Sequence, residues 1–420
     1  MKLSLFLAFA CLLQGQTPDS RNRLWREDID FFVKGISAKG MTVDLARGPS
    51  SRGQKDFEKL FPAKTFDPAI AALKESLPSL SDTEIVMRLM RIVAGAGVAH
   101  TSVEWPKGMG FERRLPVVMG WYGDGLAVAS ATQEFRSAVG RKVLKLGSKT
   151  PEELLAAVTP YISHENDAYL RNAAPGFLTA YPVVNQLGLA DPDGMVSMVL
   201  ERAGGEPLTV KLPLVESKEA KVGFWVALGI EKPPFVSQLN RKYWSRYFED
   251  SRTEFIQYNQ CMNDRALPFG EFTQGVMREI DAHPVQRVVL DLRWNGGGDS
   301  SVIGPLKNAL ASRPQLAGHI YVLIGAGTFS SALLNAIDWK QHLHATLAGE
   351  PTGGKPGSYG EVKLLTLPNS KVVVRYSSKY FAAPGGMDTP SLMPDILAPL
   401  KLSDLEAGRD SALDAILAGR

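Results

Sequence analysis

The sequence predicts an α/β domain built on a parallel core sheet in its C-terminal half, preceded by a helical region and a small β-rich module. Two observations carry this expectation. Three near-continuous apolar runs, Val288 to Leu292, His319 to Ile324 and His344 to Ala348, are separated by helical stretches at about 301 to 312 and 331 to 342. Strands buried on both faces read as unbroken apolar runs, and parallel neighbours need helical crossovers. The pattern also changes along the chain, and 420 residues exceed one ordinary domain.

The N-terminus begins Met1-Lys2, continues with the apolar run Leu3 to Leu13, and ends it at Gln14-Gly15-Gln16. A positive start, a short apolar stretch and small or polar residues after it mark 1–16 as a signal peptide. The run is shorter than the ~20 residues that cross a bilayer. The mature protein is therefore expected outside the cytoplasm, periplasmic or extracellular, without a membrane span; processing at Cys11 as a lipoprotein is the variant. Signal removal leaves Cys261 as the one cysteine, so no internal disulfide forms.

Residues 17–110 read as helical. Ser81 and Glu84 form a capping box ahead of Ile85, Leu89, Ile92 and Val93 at helical spacing, and Gly95 and Gly97 end the run just before His100-Thr101. Residues 111–216 alternate short strand-like runs (Leu126 to Ala129, Lys142 to Leu146, Leu208 to Leu212) with turns, around a helical insert at 152–158. This outline resembles a PDZ domain, which takes up a peptide as an added strand, although no clear glycine-and-apolar carboxylate-binding loop is present. Residues 217–420 hold the three apolar strands, then a hairpin with arms Glu361 to Leu367 and Lys371 to Phe381 around Pro368-Asn369-Ser370.

The chain is 45% hydrophobic and 22% charged, with a net charge of +3 and no basic run. That composition fits a folded protein and argues against a nucleic-acid partner.

In open α/β sheets ligands bind beyond the carboxyl ends of the strands. The three predicted strands are followed there by Arg293-Trp294-Asn295-Gly296-Gly297-Gly298, by Gly325 to Ser331, and by Gly349-Glu350-Pro351-Thr352-Gly353-Gly354-Lys355. This set suits acyl transfer. Ser330 stands at a strand-to-helix turn as candidate nucleophile. The backbone N–H groups of Ser331 and of Gly297 or Gly298 are candidate oxyanion donors. Two plainer readings compete. Ser is a common helix N-cap, and a glycine run can bind phosphate, though this one lacks a P-loop's Lys-Ser/Thr ending. A serine hydroxyl needs a base. Lys355, 25 residues after Ser330, and His100 are the candidates, and Asp388 is the candidate to orient either.

These segments resemble the C-terminal processing protease family, which includes the tail-specific and tricorn-like serine peptidases. Asp291 to Gly298 is similar to its Asp-Leu-Arg-x-Asn-x-Gly-Gly signature, and Gly349 to Lys355 resembles the loop that ends in its catalytic lysine. Thr328-Phe329-Ser330-Ser331-Ala332 falls where the nucleophile belongs, and Pro394-Asp395 resembles the Pro-Asp that closes the domain. The resemblance implies β-β-α (crotonase-like) units, hydrolysis of a peptide or protein substrate, and neither metal nor cofactor. Two departures stand out. The Ser330 segment lacks the Ser-Ala-Ser-Ala-Ser-Glu pattern of the tail-specific branch. Val98-Ala99-His100-Thr101 looks instead like the His-Thr segment of the tricorn-like branch, in which Asp388 falls at an acidic triad position. Non-proteolytic members of the wider fold, such as interphotoreceptor retinoid-binding proteins, leave a ligand- or peptide-binding protein as the alternative.

Overall fold

The computed structural model describes residues 17–38, 58–201, 206–216, 221–229 and 233–419. The signal-like stretch 1–16, with Cys11, lies outside them. The N-terminal region is helical over Pro18–Ala38, Ala63–Ser76 and Asp82–Ala94. The last of these starts on the expected capping box: Ser81 accepts from the Glu84 N–H, and the Glu84 carboxylate accepts from the Ser81 N–H. It buries Ile85, Val86, Leu89, Met90 and Val93.

Beyond that helix the chain turns back through Gly97, at φ 64°, and forms the strand Ser102–Val103. This strand pairs antiparallel with Val373–Phe381, Ser102 opposite Arg375 and Val103 opposite Val374. Val373–Phe381 is in turn one arm of the expected hairpin, paired antiparallel with Ser358–Thr366. Thr101 secures the joint, its hydroxyl accepting from the Ser377 N–H at 3.1 Å. At the other end of the hairpin the buried Asp28 carboxylate accepts from the N–H groups of Asn369 and Ser370. Residues some 270 to 340 positions apart are thus joined by bonds from backbone N–H groups to side-chain oxygens.

The middle of the chain forms two small three-stranded sheets, Val117–Tyr122 with Gly125–Ala131 and Val222–Gly223, and Val143–Leu146 with Val196–Leu200 and Leu208–Leu212. It is more helical than the sequence pattern predicts. Besides Pro151–Val158 it holds Asp167–Leu178 and Tyr181–Gln186. Pro175 lies inside the first of these and Pro182 near the start of the second, and an interior proline reads as a helix break.

The C-terminal half holds a six-stranded sheet in the order Ile396–Leu397, Thr346–Gly349, Ile320–Ile324, Arg287–Asp291, Thr253–Tyr258, Tyr243–Phe248. The neighbours from Ile396–Leu397 to Thr253–Tyr258 run parallel, and Tyr243–Phe248 closes one edge antiparallel. The expected core is therefore present, with an antiparallel edge added. Helix Ser331–His342 crosses between Ile320–Ile324 and Thr346–Gly349.

One buried ion cluster ties the end of the chain to the sheet. Arg293 donates to Asp291 from Nε (3.0 Å) and Nη2 (2.8 Å), and to Asp410 from Nη1 (2.8 Å) and Nη2 (2.7 Å). Asp410 also caps helix Ser411–Leu417. A charge removed from such a cluster strands its partners away from water. Arg293→Met is therefore expected to lower unfolding stability by about 3–5 kcal/mol. Urea denaturation of wild type and variant checks this, and equal midpoints would show the cluster to be dispensable.

Candidate active site

The three glycine-rich loops do converge, and Thr328 is the knot between them. Its hydroxyl donates to the Leu292 carbonyl at 2.9 Å and accepts from the Gly325 N–H at 3.0 Å. Its carbonyl accepts from the Gly354 N–H at 3.0 Å. Asn295 adds a second tie. Fully buried, it donates to the Tyr258 carbonyl, while its own carbonyl accepts from the Phe329 N–H at 3.0 Å. These bonds leave the segment around Ser330 little freedom.

Ser330 sits at φ 53°, ψ −126°, immediately before helix Ser331–His342, and its side chain makes no capping bond. An N-cap residue has β-region backbone and lends its oxygen to the first turn, so the cap reading does not describe this residue. The angles are close to the mirror image of extended backbone, open to glycine but strained for a residue with a Cβ. They are those of a sharp strand-to-helix elbow that lifts a hydroxyl clear of the sheet. No hydrogen bond occupies Ser330 Oγ among the described residues.

Gly297 packs against this elbow. A Cβ on it would lie 2.6 Å from Ser330 Cβ and 3.0 Å from the Ser331 nitrogen, and its φ is 105°. Only glycine allows that approach. The Gly297 N–H already donates to Asn295 Oδ1 at 2.9 Å, which removes it as a free oxyanion donor. Gly298, at φ 137°, keeps an N–H with no acceptor among the described residues. The Ser331 N–H is at the first position of its helix, where no intrahelical acceptor exists.

His100 reaches the same place through the Ser102–Val103 pairing. Its ring stacks on Phe329, the residue before Ser330, with centroids 4.4 Å apart. Burial first, and the positive charge of Arg375 second, lower its pKa to about 4, so the imidazole is neutral at physiological pH. The backbone of Tyr359 lies close enough to favour the charged form, but neither ring nitrogen makes a well-formed bond among the described residues. Lys355 Nζ lies 3.4 Å from Asp388 Oδ1. Asp388 is largely exposed, its side chain 86% accessible, and it pairs with Lys355.

Sequence reasoning missed Glu165. Burial outweighs a backbone bond to Ala99 and the charge of Lys355, which both act to lower it, and leaves its pKa raised to about 7; one carboxyl oxygen is buried without a hydrogen-bond partner among the described residues. It therefore lies beside Ala99, the neighbour of His100, and within reach of the charge of Lys355. The neighbouring Asn166 fixes its segment, donating to the carbonyls of Gly353 (3.0 Å) and Pro390 (2.7 Å). No motif marks it, since it reads as one more polar residue before a helix. Cys261 is buried, and burial raises its thiol pKa to about 11. Its carbonyl packs against Gly298 as part of the frame. Among the described residues no group of three or more His, Cys, Asp or Glu could hold a metal ion.

The strain at Ser330 has a measurable consequence. Ser330→Gly is expected to be more stable than Ser330→Ala by about 1 kcal/mol, because glycine relieves the backbone although it also loosens the unfolded chain. Thermal unfolding of the pair checks this, and a less stable glycine variant would contradict a strained elbow.

No family model matches the sequence, and no curated protein matches it significantly. Solved structures do match. Mature CPAF complexed with lactacystin superposes with a TM-score of 0.59 at 13% identity, over 95% of this chain and 97% of that one. A CPAF mutant gives 0.59 at 14% identity, over 92% and 94%. The photosystem II D1 C-terminal processing protease and the tricorn protease also match, with TM-scores of 0.38 and 0.42, too loose a superposition to argue from. These are structures of the kind that the sequence resemblance names. At such identity the likeness is one of fold: along nearly its whole length this chain is built like mature CPAF.

Proposed function

We propose that the chain is an exported serine peptidase that hydrolyses peptide bonds through an acyl-enzyme at Ser330. The observation that carries this reading is the strained Ser330 elbow, its hydroxyl without a hydrogen bond among the described residues and the Gly298 and Ser331 N–H groups beside it. Ser330 Oγ attacks the scissile carbonyl carbon and its proton passes to the base. The carbonyl oxygen takes the negative charge and is met by the two N–H groups. The C–N bond then breaks as the base returns the proton to the leaving amine. Water, deprotonated by the same base, releases the acyl group and restores the serine. Residues of this chain complete the cycle without metal or cofactor.

His100 is the base that the geometry favours. It is neutral above about pH 4 and packed on Phe329, whereas the contact of Lys355 is an ion pair with Asp388. The Lys355–Asp388 pair then serves the rim of the site rather than proton transfer. The crotonase-like units of 217–420 and a PDZ-like role for 111–216 belong to the same reading, as does export through 1–16. Among the described residues no helix is long and apolar enough to cross a membrane.

Burst kinetics with p-nitrophenyl acetate test the assignment. His100→Ala is expected to slow acylation by about 10²–10⁴-fold, with Lys355→Ala and Asp388→Asn within about tenfold of wild type. A slow Lys355→Ala with a near-normal His100→Ala would instead make Lys355 the base. The pH profile is a second check. A base with a lowered pKa is lost only as pH falls through that value, so wild-type acylation is expected to hold down to about pH 4–5 and then drop. An alkaline rise toward the ordinary lysine pKa of about 10.4 would overturn the histidine assignment.

A further inference from the structure

A cavity of about 210 Å³ lies where the N-terminal helices, the middle module and the C-terminal hairpin meet, and no step of the mechanism uses it. Trp105, Tyr161, Tyr169 and Phe177 supply aromatic walls, Trp105 and Phe177 meeting edge to face at 5.2 Å. Ser102 and Ser163 also line it, and Arg375 and Glu104, paired at 3.2 Å, add charge. A hollow walled by aromatic rings has the character of a binding site for an apolar group.

Three contacts place the cavity next to the reacting groups. Ala99, the neighbour of His100, forms part of its wall. The Tyr169 ring packs on Phe329, the neighbour of Ser330, at 5.1 Å. Arg375 is near enough for its charge to act on His100. A peptide held with its carbonyl at Ser330 would have a side chain within reach of this hollow. The volume suits one large apolar side chain rather than a drug-sized ligand, for which sites run to about 300–1,000 Å³.

We infer that this cavity is a specificity pocket that receives one large apolar side chain, aromatic or leucine-like, of the peptide substrate near its scissile bond. The inference rests on the peptidase reading for its purpose, but its binding chemistry can be tested without turnover. Ala173 lines the pocket from helix Asp167–Leu178, and a larger residue there would fill it. Calorimetric titration with N-acetylphenylalanine amide and N-acetylalanine amide is the direct test. Wild type is expected to prefer the phenylalanine amide by at least about tenfold, the discrimination that a fitted apolar pocket provides. Ala173→Phe, or Ala173→Leu if the larger residue prevents folding, is expected to abolish that preference. Absence of a preference in wild type, or a preference that survives in a folded filled variant, would overturn the pocket. In peptide-library cleavage the same variants should shift one position from large apolar to small residues. Retained amide preference without acylation at Ser330 would sink the peptidase reading and leave the pocket standing.

Discussion

The arrangement of this protein depends on the backbone of Ser330. A non-glycine residue at φ 53°, ψ −126° persists only when its surroundings over-determine it. Here the surroundings are specific. Thr328 binds the first and third loops, Asn295 holds Phe329 from below, and the bare Cα of Gly297 fills the space against the elbow. Strain of this kind costs on the order of 1–3 kcal/mol, and the hydrogen bonds of two buried polar side chains offset it. The result is a hydroxyl without a hydrogen bond beside two N–H groups without acceptors, among the described residues.

The same economy of backbone bonds explains how a residue 230 positions earlier in the chain comes to lie beside the elbow. His100 is carried by a strand of two residues added to the hairpin arm Val373–Phe381, with Thr101 bonding Ser377. Asp28 grips the far end of that hairpin. The helical region is therefore part of the candidate site's frame, not an appendage. Its docking also closes the aromatic cavity, whose walls come from the helices, the middle module and the hairpin together. Recognition and chemistry would then depend on one set of long-range contacts.

Much of this was legible in the sequence where local rules act alone. The Ser81–Glu84 capping box, the apolar strands and the Ser331–His342 helix follow from periodicity and capping, and they lie within a residue or two of the expected places. The convergence of the loops followed from strand order in a parallel sheet. What the sequence left open depends on distant partners. The choice between His100 and Lys355 turns on burial and on the exposed Asp388, neither of which has a local signal. Glu165 was invisible because only the docking of Asn166 onto Gly353 and Pro390 brings it to the site. Gly297 and Gly298 looked equivalent as donors until the bond from Gly297 to Asn295 separated them.

The central claim is that the Ser330 elbow is a nucleophile and not a structural turn. Labelling the folded wild-type protein with a fluorophosphonate and mapping the modified residue by mass spectrometry tests it most directly. The account predicts a single phosphonylated residue, Ser330, and no labelling in Ser330→Ala of unchanged fold. Modification at another serine such as Ser331, or a folded wild type that takes no label, would contradict it.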